Sequence, residues 1–333
     1  MWFNNVLSRS LTPLGLAIPF ISSNFASATS IIDRTAFIFA FYTCDKLRWL
    51  ATNGWNGHGD PLAAHKIVCT TAGPNWAMSL TDLVGHSTLI DLAVSGAVSD
   101  SDIVTTTPVD FRGQTTAFLN YVASSRNVSW TSRNAIFTIT FGSEQNSFSK
   151  TPSRAHLFTA NDVNHSYQTA EGNGTSVYSK DITSYFNTVD KLYNAGARQF
   201  VFNNVVPFDR AQIGISLGQK LAAKLKDNIN EFNSQLAAKA ACYCSSKPDI
   251  TCLVFDTHTT FANVMDNYAA YGFATPSGYC EAYAKQATCD IVSQDQSCIG
   301  PISSYVWWNG LHPSYAADLV WAKELKAQLS YVS

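Results

Sequence analysis

Five short runs of apolar, β-branched and aromatic residues punctuate the chain, at 35–43, 88–94, 135–141, 199–206 and 252–255. Each has strand length and little alternation between apolar and polar positions. Near-continuous apolar strands are those buried on both faces, which predicts a parallel sheet covered by helices. The gaps between the runs, roughly 40 to 60 residues, suffice for right-handed crossover helices. Ile182, Tyr185, Phe186, Val189, Leu192 and Tyr193 fall at helical spacing and predict a helix over 181–195, with Gly196 as its stop. A second helix is predicted over about 212–241, with Leu217, Leu221 and Leu225 on one face, and a third over about 315–329. Segments 50–80 and 265–305, dense in Gly, Asn, Pro and Cys, read as long loops over the sheet, where open α/β folds carry their sites. The expected architecture is one three-layer α/β/α domain over 29–333 with a five-stranded parallel sheet, without internal repeats or a linker.

Composition narrows the function classes. Of 333 residues, 46% are apolar, enough to bury a substantial core and exclude disorder. Only 14% are charged and the net charge is -2, which argues against a nucleic acid or other polyanion as partner. Arg9, the apolar stretch 11–21 and Ala26-Ser27-Ala28 read as a signal peptide over 1–28, with the mature chain starting near Thr29. No later segment is apolar for the roughly 18 residues that a membrane span requires. The expectation is a secreted monomer off the membrane.

Eight cysteines, at 44, 69, 242, 244, 252, 280, 289 and 298, read as disulfides in an exported chain. Cys242, Cys244 and Cys252 near His258 offer a competing metal reading, disfavoured because C-x-C is not a common zinc spacing. His58, Asp60 and His65 could also chelate, but Pro61 among them marks a surface loop. Sequons at Asn127, Asn164 and Asn173 place those stretches on the surface. Trp49, Trp55, Trp76, Trp307 and Trp308 read as packing, with Trp308 the one candidate for lining a substrate cleft.

The punctuation after the strands carries a family pattern. Gly73-Pro74-Asn75-Trp76 with Leu80-Thr81 precedes the second strand, and Asp91-Leu92-Ala93-Val94-Ser95-Gly96-Ala97 with Asp100 follows it. Phe141-Gly142, Val206-Pro207-Phe208-Asp209-Arg210 and Asp256-Thr257 follow the third, fourth and fifth. The tail adds Asp266-Asn267, Ala270-Tyr271-Gly272-Phe273, Gly278-Tyr279-Cys280 and Trp308-Asn309-Gly310-Leu311-His312-Pro313-Ser314-Tyr315. In this order, over about 35–330, the set resembles the SGNH or GDSL hydrolases, and within them the fungal secreted esterases of carbohydrate esterase family sixteen. The resemblance implies a flavodoxin-like sheet, acyl transfer to water, an acylated carbohydrate or other small ester as substrate, and neither metal nor cofactor.

The same resemblance implies a serine triad with an oxyanion hole. His312 matches the base and Gly96 the oxyanion glycine, a role that requires close backbone approach. Three positions depart. The family reads Phe-Val-Phe-Gly-Asp-Ser-Tyr-Thr after the first strand, whereas this chain reads Phe37-Ile38-Phe39-Ala40-Phe41-Tyr42-Thr43, one residue shorter and with Phe41 at the nucleophile position. Glu144 stands where an oxyanion Asn is expected, with Asn146 two residues on, and Asn309 replaces the Asp that orients the base. Thr43 and Cys44 are alternative nucleophiles, although Cys44 reads better as a disulfide partner of Cys69. Two readings remain open: an esterase whose nucleophile block was lost through a wrong exon boundary, and a non-catalytic relative that binds glycans or a secreted partner.

Overall fold

The computed structural model describes residues 30–42, 71–94, 96–104, 109–141, 163, 175–284 and 294–332. The elements, in chain order, are α1 (Ile31–Arg34), β1 (Phe37–Tyr42), α2 (Trp76–Val84), β2 (Thr88–Asp91), α3 (Phe111–Ala117, continued by a π turn, Phe118–Val122) and β3 (Ala135–Thr140). Then come α4 (Thr175–Asn194), β4 (Gln199–Asn203), α5 (Gln212–Ser216), α6 (Gln219–Ser245), β5 (Thr251–Phe255), α7 (Thr257–Asp266), α8 (Glu281–Ala284) and α9 (Tyr315–Leu329). All five strands are parallel in the order β2-β1-β3-β4-β5, with Phe39 opposite Ile90 on one side and Phe137 on the other. This is the expected five-stranded three-layer α/β/α architecture.

The two faces differ in chemistry because successive strand side chains point to opposite sides. Phe39 meets Phe118 and Trp130, Phe41 meets Phe111, and Phe202 meets Tyr185 and Phe186, so one face is an aromatic layer under α3 and α4, with α6 packed beside α4. On the other face α9 packs between α2 and α7, where Trp76 stacks on Trp321 with ring centroids 4.6 Å apart. Aromatic pairs of this geometry add about 0.5–1.5 kcal/mol beyond the area they bury.

Several boundaries differ from the sequence reading for physical reasons. The runs at 88–94 and 199–206 outlast their strands, because Leu92, Ala93, Val205 and Val206 stay buried after leaving the ladder. The helix expected over 212–241 is two helices, α5 and α6, broken at Gly218, whose φ of 76° has left-handed sign. Segment 50–80, expected as loop, contains the start of α2: Asn75 accepts the N–H of Met78 and caps it. Cys244 is joined to Cys252 and Cys280 to Cys298, so neither Cys244 nor Cys252 has a thiolate for a metal, and Cys242 is exposed. Asn127 is exposed, whereas Asn164, Asn173, the pairing of Cys44 with Cys69, and His58, Asp60 and His65 lie outside the described residues. Among the described residues no helix is long and apolar enough to cross a membrane.

Candidate active site

The segment between α8 and α9 ends in a narrow turn. Trp307 pairs with Pro313 in an antiparallel bridge, and the Trp308 N–H donates to the His312 carbonyl at 2.8 Å. Inside this turn Asn309 Oδ1 accepts the backbone N–H groups of Leu311 (2.9 Å) and His312 (2.7 Å). Ser314 then caps α9, its hydroxyl donating to the Tyr305 carbonyl and accepting the Ala317 N–H. The three-residue spacing from Asn309 to His312 therefore has a mechanical reason: an Asx turn folds the amide back against the imidazole.

The contact between them is ambivalent. His312 Nδ1 lies 2.9 Å from Asn309 Nδ2 and 3.0 Å from Oδ1. If Oδ1 accepts from Nδ1–H, Nε2 is left as the basic nitrogen; if Nδ2 donates to Nδ1, the proton sits on Nε2 and the ring cannot accept one there. A carboxylate would permit only the first arrangement. His312 is buried, and Trp308 stands beside it with ring centroids 6.2 Å apart.

Trp308 is itself largely spent on packing. It is 6% exposed, donates its indole N–H to the Tyr283 carbonyl at 3.0 Å, and belongs to a small apolar cluster with Ala72, Tyr283, Ile302, Tyr305 and the Cys280–Cys298 disulfide. Trp307 is wholly buried and donates to the Pro276 carbonyl, and Trp76 packs in the core; Trp49 and Trp55 lie outside the described residues. Gly96 lies in the turn beyond β2, at the C-terminal edge of the sheet, with a φ of 72° that disfavours any side chain. The approach to it is pinned by Asp91, which accepts the Ala93 N–H, and by Asp100, which holds Arg112 and the Ser184 hydroxyl.

Phe41 is not on a turn. It is the fifth residue of β1, opposite Ile139, wholly buried with its ring among Phe111, Phe118 and Phe137. The strand runs on to Tyr42, and Thr43, Cys44, Glu144 and Asn146 lie outside the described residues.

Some residues that hold the site were not visible as such in the sequence. Asn233 of α6 clamps the Val205 backbone with both amide atoms, at 2.8 and 2.9 Å. Asn204 bonds the Asp256 carboxylate and the His258 N–H, joining the ends of β4 and β5. Gly214 packs against the carbonyl of Asp209, where a Cβ would lie 2.1 Å from the oxygen, and the next-door Ile213 N–H reaches the Gly310 carbonyl of the His312 turn at 2.9 Å. Close approach, not turn conformation, is what requires glycine there. In the same region burial pushes the Asp209 carboxyl up, and burial also lowers His258 against the opposing pull of Asp256 and Asp209.

The sequence pattern of the GDSL-like Lipase/Acylhydrolase family matches residues 68–325. The chain belongs to this family. The match begins after β1, so the Phe41 block is outside it while Gly96, Asn309 and His312 are inside. Among relatives of this GDSL-like protein, an acetylesterase of Thermothelomyces thermophilus is 27% identical over 252 residues, 73% of this chain and 70% of that one. A GDSL esterase/lipase of Arabidopsis thaliana is 28% identical over 158 residues, 44% of this chain and 43% of its own length. The chain thus spans less than half of that plant relative. A crystal structure of a lipolytic G-D-S-L family protein from Veillonella parvula overlaps 87% of this chain and 97% of its own at 13% identity and a TM-score of 0.41.

One buried group next to the site makes a testable prediction. Asp318, in the first turn of α9, accepts the backbone N–H of Trp76 at the start of α2, and its burial holds the carboxyl well above the ordinary carboxylate range. The folded state therefore binds this proton more tightly than the unfolded state. The stabilisation is complete below about pH 4 and is lost as pH rises through the folded value. Asp318→Asn keeps an acceptor and removes the charge. At pH 7 it is expected to raise the melting temperature by about 2 °C or more, with the gap over wild type closing toward pH 4. A gap independent of pH in parallel melts would contradict this.

Proposed function

We propose that this chain is a secreted GDSL-type ester hydrolase by descent, fitted to acetyl or other short-acyl esters of carbohydrates, and that its present turnover is strongly impaired. The observation that carries the reading is the Asn309–His312 pair, held in a tight turn before the last helix within the segment that matches the family. In the assignment His312 is the base, Gly96 offers one oxyanion N–H, and Trp308 borders the cleft. The acetylesterase name of one relative supports the acyl class, and the two disulfides among the described residues fit an oxidising compartment.

Impairment follows from chemistry. Loss of the nucleophile alone costs about a millionfold in turnover in serine hydrolases. An amide in place of the orienting carboxylate costs about ten-thousandfold there, because it permits the wrong imidazole tautomer. Both tautomers are within reach of Asn309 here. A Glu at position 144, if ionised and facing the cleft, would oppose the developing oxyanion as well.

The test is hydrolysis of a short-chain chromogenic acetate by the purified chain beside His312→Ala. Slow turnover above the uncatalysed rate is expected, with His312 acting as general base toward water, and it falls to background in the variant. Equal, background-level rates in both proteins would overturn the hydrolase reading and favour the second one, a non-catalytic relative that binds glycans or a secreted partner, for which the amide of Asn309 in place of the orienting carboxylate is the specific support.

A further inference from the structure

The loop between the π turn that continues α3 and the start of β3 holds the sequon Asn127-Val128-Ser129, with no proline at its middle position. This loop lies at the N-terminal edge of the sheet, where the Asn134 carbonyl accepts the Ala36 and Phe37 N–H groups at the start of β1. Gly96 and the α5 contact of the His312 turn instead follow strand ends, at the opposite edge.

Burial alternates along the sequon. Val128 is buried in the main core, and Trp130 is half-buried, its ring against Phe39, Phe118 and Phe137 and its indole N–H on the Ala123 carbonyl at 3.2 Å. Asn127 and Ser129 alternate with these anchors and are both exposed. The backbone around them is fixed: the Asn127 N–H donates to the Ser125 hydroxyl at 3.2 Å, the Val128 N–H to the Ser125 carbonyl at 3.3 Å, and Asn134 Nδ2 to the Ser129 carbonyl at 3.3 Å. The side chains are not used in this way. Among the described residues neither the Asn127 amide group nor the Ser129 hydroxyl makes a hydrogen bond. Loop asparagines ordinarily bond nearby backbone, as Asn134 does here by accepting the Thr131 N–H. Asn127 has no such local role, so the fold gives no structural reason for its amide.

We propose that Asn127 is a modification site that carries an N-linked oligosaccharide, an inference that rests on the export reading above. The donor is an oligosaccharide joined through pyrophosphate to a lipid. Asn127 Nδ2 bonds to the anomeric carbon, the bond from that carbon to the phosphate oxygen breaks, the lipid pyrophosphate leaves, and Nδ2 gives up one proton. The Ser129 hydroxyl is the second group that the acceptor motif requires, and both open to solvent. In the folded chain the glycan displaces no described contact, because Val128 and Trp130 keep the loop seated from the other side. Only 14% of the residues are charged, so a bulky hydrophilic group at this edge adds solubility that the protein surface itself supplies sparingly. Attached at the edge away from Gly96 and His312, it leaves the approach to the site open.

The test expresses the full chain in a yeast, with its own N-terminus and, in parallel, behind a secretion leader of the host. Enzymatic deglycosylation in heavy-oxygen water converts a glycosylated Asn to a labelled Asp, and peptide mass spectrometry reads position 127. Wild type is expected to carry the label there, and Asn127→Gln to migrate ahead of wild type by one glycan until both are deglycosylated. Ser129→Ala, which keeps Asn127, is expected to lose the label. Both variants are expected to melt within about 2 °C of deglycosylated wild type, as exposed positions without contacts should. Unlabelled Asn127 in the protein carried by the host leader overturns the proposal, as does a label that survives in Ser129→Ala, which marks spontaneous deamidation. A chain that leaves the cell only behind the host leader, and is then labelled at 127, supports the site and overturns the export reading instead.

Discussion

Replacing Phe41 by serine, the residue that family resemblance would put there, is expected to destabilise the chain by about 3–5 kcal/mol and to give no gain in ester hydrolysis. Phe41 is wholly buried in β1, with its ring centroid 5.7 Å from that of Phe111, 6.0 Å from Phe118 and 6.3 Å from Phe137. The substitution removes an aromatic side chain from the centre of that layer and leaves a hydroxyl with no designed partner. Urea unfolding supplies the stability difference, and the acetate assay supplies the rate. A variant that stays as stable as wild type and hydrolyses ester faster would mean that position 41 faces the reacting centre, contrary to its packing. An inactive, destabilised variant would direct the search for a nucleophile to the residues beyond Tyr42.

The parity of the strand already contains this result. Phe37, Phe39 and Phe41 are two apart, so they share one face of β1, and Phe39 sits in the aromatic layer with Phe118 and Phe137. Alignment of the block to a Gly-Asp-Ser pattern passes over that periodicity, because a one-residue deficit moves the aligned residue from the turn into the strand. The strands themselves were legible because a parallel sheet buried on both faces leaves little room for polar residues. Their ends were not, since Val205 and Val206 remain apolar while their backbone has turned away to the Asn233 clamp. Likewise the apolar spacing on both sides of Gly218 runs through the helix break, and one residue with left-handed φ separates α5 from α6. At the site, the spacing of Asn309 and His312 announced the pair. What supports that pair depends on contacts between distant segments, the Gly310–Ile213 bond and the Tyr283 carbonyl under Trp308, for which one chain without its fold has no local signal.

That dependence leads to the other large effect. Removing the Cys280–Cys298 disulfide by a double alanine substitution is expected to destabilise the chain by about 3 kcal/mol, from the chain entropy released over a sequence separation of 18. The Cys244–Cys252 bridge, with a separation of 8, provides the control: its removal costs about 0.7 kcal/mol less on the same grounds. It joins the end of α6 to the start of β5, at the edge of the sheet away from His312. The two losses are therefore similar in global stability and different in place. Cys280 and Cys298 pack directly in the cluster of Tyr283, Tyr305 and Trp308, and Tyr283 fixes both the Trp308 indole through its carbonyl and Gly300 through its hydroxyl. Without the bridge, the loop that presents His312 loses one wall of its support while the sheet keeps its own. Solvent exchange of the Trp308 indole proton, followed by NMR, separates the cases. It is expected to accelerate well beyond the change in global stability in the Cys280→Ala, Cys298→Ala protein, and to track global stability alone in the Cys244→Ala, Cys252→Ala protein. Equal acceleration in both would mean that the His312 turn is held by the sheet and not by the disulfide-bonded cluster.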